Sequence, residues 1–307
     1  MPGFKAWPVI VGSVMSVEVQ GDLIRFSYGD AHACVAKKGC TLVSFVVNGD
    51  GYMYLSEAAD LSSKSTTPVR GGMPLIFPAF GKSYLESLKT VQQHGFVRNL
   101  AWDFVIAEVL TECTVARFRL SHRQCEDEQQ YHNWCQFYGQ PIKFALTMDF
   151  SLFSDRITVN TSLVNENVSE LEFQFLYHTY FRVPCVRDMY ITGLRGAKYL
   201  DRLQTRYRLD PSPMLKVEEQ TDKLYKLGEN NREVDILSGN YNVRLTASEN
   251  LSDLVVWNPW KEGAAKMKDF EPKSSYRNMC CVEFGAIEGT TVAKGGRWQC
   301  QHTITII

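Results

Sequence analysis

Runs of β-branched and aromatic residues, interrupted every few positions by polar turns, recur from Val17 to Ile307 and leave little room for anything but a β fold. Val17–Tyr28 (VEVQGDLIRFSY) alternates on both sides of Gln20-Gly21-Asp22 and predicts a hairpin. Ala33–Val47 holds a second turn, AKKGC, between apolar runs. Val115–Ser121 alternates, and Phe144–Phe153 and Ile157–Val164 flank the turn Ser154-Asp155-Arg156. Leu171–Val183 reads as one long aromatic-rich strand, followed by Val243–Ala247, Leu254–Trp257, Cys280–Ile287 and Gln299–Ile307. Only Lys261–Met267, just after Pro259, reads as a helix of any length, and the polar stretch Ser121–Pro141 reads as a long loop. No linker and no internal repeat divides the chain, so the expectation is one all-β domain over residues 1–307, a sandwich or barrel.

Composition narrows the possible partners. Charged residues are 22% of the chain and the net charge is -1, so no global field draws it to nucleic acid or an anionic membrane. An anionic ligand must then be held by a local group of basic side chains. Nine cysteines are an odd count, and Cys280 and Cys281 are adjacent in an apolar run. The start, MPGFKAWPVIVGSVM, lacks the basic-then-apolar order of a signal peptide. The thiols are therefore expected reduced and mostly buried, the location cytoplasmic, and the sequons at Asn160, Asn167 and Asn250 without consequence. No zinc-type Cys or His spacing and no membrane-length apolar run occurs, so no metal, no cofactor and no membrane partner is expected.

Two titratable residues sit inside apolar runs. Glu283 lies in Met279–Ile287, where burying a carboxylate costs several kcal/mol unless something compensates. The alternative is that strand alternation turns it to solvent. His178 lies in LEFQFLYHTYF, where it is either a satisfied core histidine or a proton-transfer group. Three further segments collect polar groups beside glycines or prolines: Arg70 in RGGMP, Gln93, His94 and Arg98 in QHGFVR, and the tryptophans of WNPW at Trp257–Trp260.

Taken in order, RGGMPLIFPAFG (Arg70–Gly81), QHGFVRNLAWDF (Gln93–Phe104), LYHTYFRV (Leu176–Val183), TGLRGAKYLD (Thr192–Asp201), TDKLY (Thr221–Tyr225), VVWNPW (Val255–Trp260) and CVEFGAI (Cys281–Ile287) resemble the aldose 1-epimerase-like superfamily, in particular its glucose-6-phosphate 1-epimerase branch. The resemblance runs from about Val17 to the end. It departs at the long polar segment from Cys125 to Gln140 and at Lys294–Trp298, where a proline-glycine-glutamate turn is usual. It implies an antiparallel β-supersandwich of the galactose mutarotase-like type. It also implies His178 as general acid, Glu283 as general base, Asp222 as a ligand to sugar hydroxyls, Arg70 and Arg98 as phosphate-binding groups, and Gln93 and His94 as further lining of the sugar site. The implied activity is interconversion of the α and β anomers of a hexose 6-phosphate by a monomer. The alternatives on the same fold are a mutarotase of free hexoses and a non-catalytic sugar-binding protein.

Overall fold

The computed structural model describes residues 16–228 and 232–307; the N-terminal segment considered above for a signal lies outside them. Strands account for 49% of the residues and helices for 12%, and the sheets are antiparallel, so the all-β reading holds. A five-stranded meander runs in chain order from Ser16–Gln20 to Asp50–Gly51. Its first hairpin turns at Gly21-Asp22, with Gln20 opposite Leu23.

The nine-stranded sheet is built around Arg297–Ile306, Arg156–Asn165, Phe144–Leu152 and Thr114–Ser121 as neighbours. Each of these strands alternates. Ile157, Val159 and Leu163 are buried while Thr158, Asn160 and Ser162 between them are partly exposed. That pattern gives the sheet one apolar and one polar face.

The eight-stranded sheet carries the order Arg206–Leu209, Lys198–Asp201, Thr221–Lys226, Asp253–Asn258, Met279–Val292, Leu171–Tyr177 and Leu75–Ile76, with Tyr180–Arg182 also on Met279–Val292. Its central strand is buried at every position from Met279 to Ile287. Cys280, Val282 and Phe284 face a core that takes residues from all three sheets, among them Phe26, Phe150 and Ile304. Cys281, Glu283 and their cross-strand neighbours Trp257 and Val255 occupy the opposite face.

Two expectations are corrected. Ser121–Pro141 is not a loop: it contains helix α1 (Gln129–Tyr138), ended by Gly139 in the left-handed conformation. Tyr131 and Trp134 are buried, and Cys135 and Tyr138 pack behind them, so the stripe at i, i+3, i+4 and i+7 forms the helix despite its polar remainder. Leu171–Val183 is not one strand. It breaks after Tyr177 and resumes at Tyr180, and at the break the His178 N–H donates to the Pro74 carbonyl at 3.0 Å. The second helix, α2 (Trp260–Lys266), lies where expected, displaced by one residue. Among the described residues no helix is long and apolar enough to cross a membrane.

Candidate active site

The outer face of the eight-stranded sheet brings distant residues together through register. Asp222 lies opposite Trp257, and Trp257 opposite Cys281. In the next row on the same face, Leu224, Val255 and Glu283 are partners. Tyr180 lies opposite Cys281 from the other side, so the strand break just before it delivers His178 to the same place.

His178 Nδ1 lies 3.2 Å from Glu283 Oε1. The Glu283 side chain is 2% exposed and that of His178 12%, so one edge of the imidazole reaches outward. The imidazole stacks on Tyr180 at 4.6 Å and its Nε2 lies 3.4 Å from the tyrosine hydroxyl. Trp257 meets the imidazole edge-on at 6.0 Å. Burial pushes Glu283 well above the usual carboxylate range, helped by the charge of Asp222. Burial likewise holds His178 well below the usual imidazole range, followed by His94, Arg70 and Arg98. Both shifts favour the uncharged pair, with the proton on Glu283 rather than on His178.

The basic groups arrive on two glycine-containing loops. Gly72 and Pro74 carbonyls accept from the backbones of Tyr180 and His178, which pins the Arg70 loop along the strand break. Arg70 Nη1 donates to the Tyr180 hydroxyl at 2.8 Å, and its Nη2 pairs with Asp269 at 3.1 Å. The sequence offered no carboxylate for Arg70 in its own motif; the partner comes from a segment 199 residues away. Burial would lower the Arg70 guanidinium, but Tyr180 and Asp269 together hold it above its ordinary range.

The second loop is held from both ends. Gly95 has φ +66, and a Cβ there would collide with the Phe77 carbonyl, while the Phe96 N–H bonds the same carbonyl. On the other side the Gln92 N–H donates to Gln130 of α1 at 2.7 Å, and Asn133 of α1 donates to the Thr90 carbonyl. The corrected helix therefore braces the loop that carries Gln93 and His94. His94 Nδ1 accepts from the Gly81 N–H at 3.3 Å, and its ring meets that of His178 at 5.8 Å. Burial first, then Arg98, Arg202 and Arg70, push it down to about 3, so it is a neutral imidazole. Gln93 is exposed at the edge, 3.3 Å from His94.

Arg98 differs from Arg70. Its Nη2 makes one long bond to the Gln93 carbonyl, 3.3 Å, and its buried Nε has no partner. Burial, with Arg70 adding to it, lowers Arg98 to about 10, so it stays charged at neutral pH.

The model for the family described as aldose 1-epimerase matches residues 22–305, nearly the whole chain. The chain belongs to the aldose 1-epimerase family. It is accordingly an isomerase of the epimerase or mutarotase kind. A protein of Cenchrus ciliaris, provisionally named glucose-6-phosphate 1-epimerase, is 30% identical over 259 residues, covering 82% of this chain and 74% of that one. An Escherichia coli K12 protein with the same provisional name is 25% identical, covering 85% and 82%. Among solved structures, a provisionally named mutarotase (YeaD) of Salmonella typhimurium superposes with a TM-score of 0.79 at 20% identity, covering 96% of this chain and 94% of that one. A galactose mutarotase-like protein of Clostridium acetobutylicum gives 0.74 at 15%, covering 96% and 98%. The last two establish the galactose mutarotase-like fold.

Within this epimerase the structure gathers His178, Glu283, His94, Arg70, Arg98 and Asp222 around one face, with Gln93 at its edge. Sequence reasoning missed three groups there. Tyr180 stood within the LYHTYFRV motif as an aromatic of no stated role. Asp269 carries no local signal at all. Arg202 follows TGLRGAKYLD by one residue; it pairs with Asp222 at 3.4 Å and lies over the Phe80 ring at 4.8 Å. Burial raises Asp222, and Arg202 opposes that rise.

Proposed function

We propose that this protein interconverts the α and β anomers of a hexose 6-phosphate, glucose 6-phosphate in the first place. The observation that carries the phosphate is Arg98: a charged, half-buried guanidinium whose Nε is fully buried, with no ion pair among the described residues, in the same site as Arg70. A buried cation without an anion is costly, and a sugar phosphate supplies the anion together with planar oxygen acceptors for the guanidinium fork. The provisional names of the curated relatives point to the same substrate.

The chemistry needs one acid and one base on a shared face. Glu283 takes the proton of the C1 hydroxyl while His178 protonates the ring oxygen. The C1–O5 bond breaks, the aldehyde rotates about C1–C2, and the reverse transfers close the ring as the other anomer. That division of labour requires the pair's single proton on His178. A phosphate dianion drawn in by Arg98 favours the imidazolium that carries it. Asp222, Gln93 and His94 bind the sugar hydroxyls, and Trp257 offers a ring face to the sugar.

Arg98→Ala separates phosphate recognition from catalysis. Loss of a hydrogen-bonded charge should cost about 1.5–3 kcal/mol, roughly 10- to 150-fold in kcat/KM for glucose 6-phosphate. Slow turnover of free glucose or galactose, followed by anomer-resolved NMR, should be unchanged. Equal loss on both substrates would make Arg98 a loop-holding residue, and a wild-type preference for free galactose would replace this reading with a mutarotase of unphosphorylated sugars.

A further inference from the structure

The face that carries the acid–base pair holds a third group that the proposed reaction does not use. Cys281 precedes Glu283 by two residues on Met279–Val292, so both side chains project the same way. Cys281 is fully buried and belongs to the cluster of Tyr180 and Tyr54, whereas its neighbour Cys280 points into the main core. One ring nitrogen of His178, Cys281 Sγ and one Glu283 oxygen lie within 4.8 Å of one another, the one such grouping among the described residues. His178 Nδ1 is buried and lacks an aligned hydrogen-bond partner, although Glu283 Oε1 is only 3.2 Å away.

These distances suit coordination. Ligand atoms about 2.0–2.3 Å from a tetrahedral zinc ion stand roughly 3.3–3.7 Å apart. The imidazole and carboxylate already have that spacing, and the thiol needs to close by no more than about 1 to 1.5 Å. One nitrogen, one sulfur and one oxygen form a borderline-soft set that favours zinc-class ions over magnesium or calcium.

We propose that His178, Cys281 and Glu283 are a three-ligand inhibitory site for a zinc-class divalent cation. The ion enters past the accessible edge of His178, keeps its fourth position toward the sugar, and competes with substrate. Binding exchanges protons for metal: the thiol proton and the proton shared by His178 and Glu283 leave to solvent, and no electron moves. The inhibition rests on the acid–base reading above; the coordination does not.

The test is a titration of the full-length, chelator-treated protein with Co2+, whose thiolate charge-transfer band reports a sulfur ligand in a tetrahedral site. The band should appear in the wild type, persist in Cys280→Ala and vanish in Cys281→Ala, and Zn2+ should displace it. In the anomer-exchange assay Zn2+ should inhibit the wild type and Mg2+ should not. Cys281→Ala should keep its metal-free activity and need at least about tenfold more Zn2+ for the same inhibition, since losing even an outer-shell partner of a metal ligand costs that much. No band in the wild type, or an undiminished one in Cys281→Ala, overturns the site. If Cys281→Ala fails to fold, His178→Ala takes its place, and an undiminished Co2+ band there overturns the site equally. A wild type that shows the Co2+ band yet does not act on hexose 6-phosphates upholds the coordination and removes the substrate reading.

Discussion

Met279–Val292 and Arg297–Ile306 are consecutive long strands joined by one short turn, yet they obey opposite rules. The second alternates buried with exposed positions for most of its length and gives its sheet one wet and one dry face. The first is buried on both faces from Met279 to Ile287, with a carboxylate among the buried groups. Each strand also buries a titratable side chain, and the contrast is informative. His302 stacks on Tyr177 and donates its Nδ1–H to the Thr246 carbonyl at 3.0 Å, so it is a neutral core imidazole whose one hydrogen-bond partner among the described residues is backbone; its buried Nε2 has none. Glu283 has a second titratable group 3.2 Å away. A polar group inside a strand is structural when its partner is backbone, and a candidate for chemistry when its partner can also exchange a proton.

The largest effect expected from this contrast is that of Glu283→Gln. The amide keeps the shape and removes the base, and anomer exchange measured against the spontaneous rate should fall by about two to four orders of magnitude. The melting temperature should hold or rise, because an amide is cheaper to bury than a carboxylate. A variant within tenfold of wild type would place Glu283 with the structural groups. On the alternating strand the signature reverses. Ile304→Ala removes a fully buried side chain from the main core and should cost about 2–5 kcal/mol in urea unfolding, with kcat unchanged. A drop in kcat at full saturation would mean that the two sheets are coupled.

The smallest effect is set by His302 and appears with pH. Burial lowers it to about 4, below its unfolded value near 6.5. Between those values the folded protein binds fewer protons than the unfolded chain. Its contribution is therefore complete above pH 6.5 and is lost as pH falls toward 4, roughly 2 kcal/mol by pH 5. His302→Gln should flatten that part of the stability profile. An unchanged profile would assign the acid sensitivity to His94 or His178 instead.

The same contrast explains what the sequence made legible. Alternation revealed the nine-stranded sheet because one of its faces is wet, and it revealed Glu283 and His178 as titratable groups in apolar runs. Helix α1 escaped because Tyr131, Trp134, Cys135 and Tyr138 are a thin apolar stripe whose helical spacing is masked by the polar residues around it. The break at His178 escaped because both halves of Leu171–Val183 are equally apolar; only pairing to Met279–Val292 and the bond to Pro74 reveal it. Asp269 could not be read as the partner of Arg70, since no local pattern links residues so far apart. The Arg98 motif likewise contains no carboxylate, and there no ion pair forms among the described residues.

The Gly95 turn turns a question of shape into a rule for reading other chains. Its backbone presses on the Phe77 carbonyl with no room for a side chain, and that contact sets where Gln93, His94 and Arg98 stand relative to the Arg70 loop. A saturation library at position 95 should return glycine alone among variants with this site intact. A genome sequence that keeps both arginine motifs but places another residue between His94 and Phe96 has a different pocket, however well the rest of it aligns.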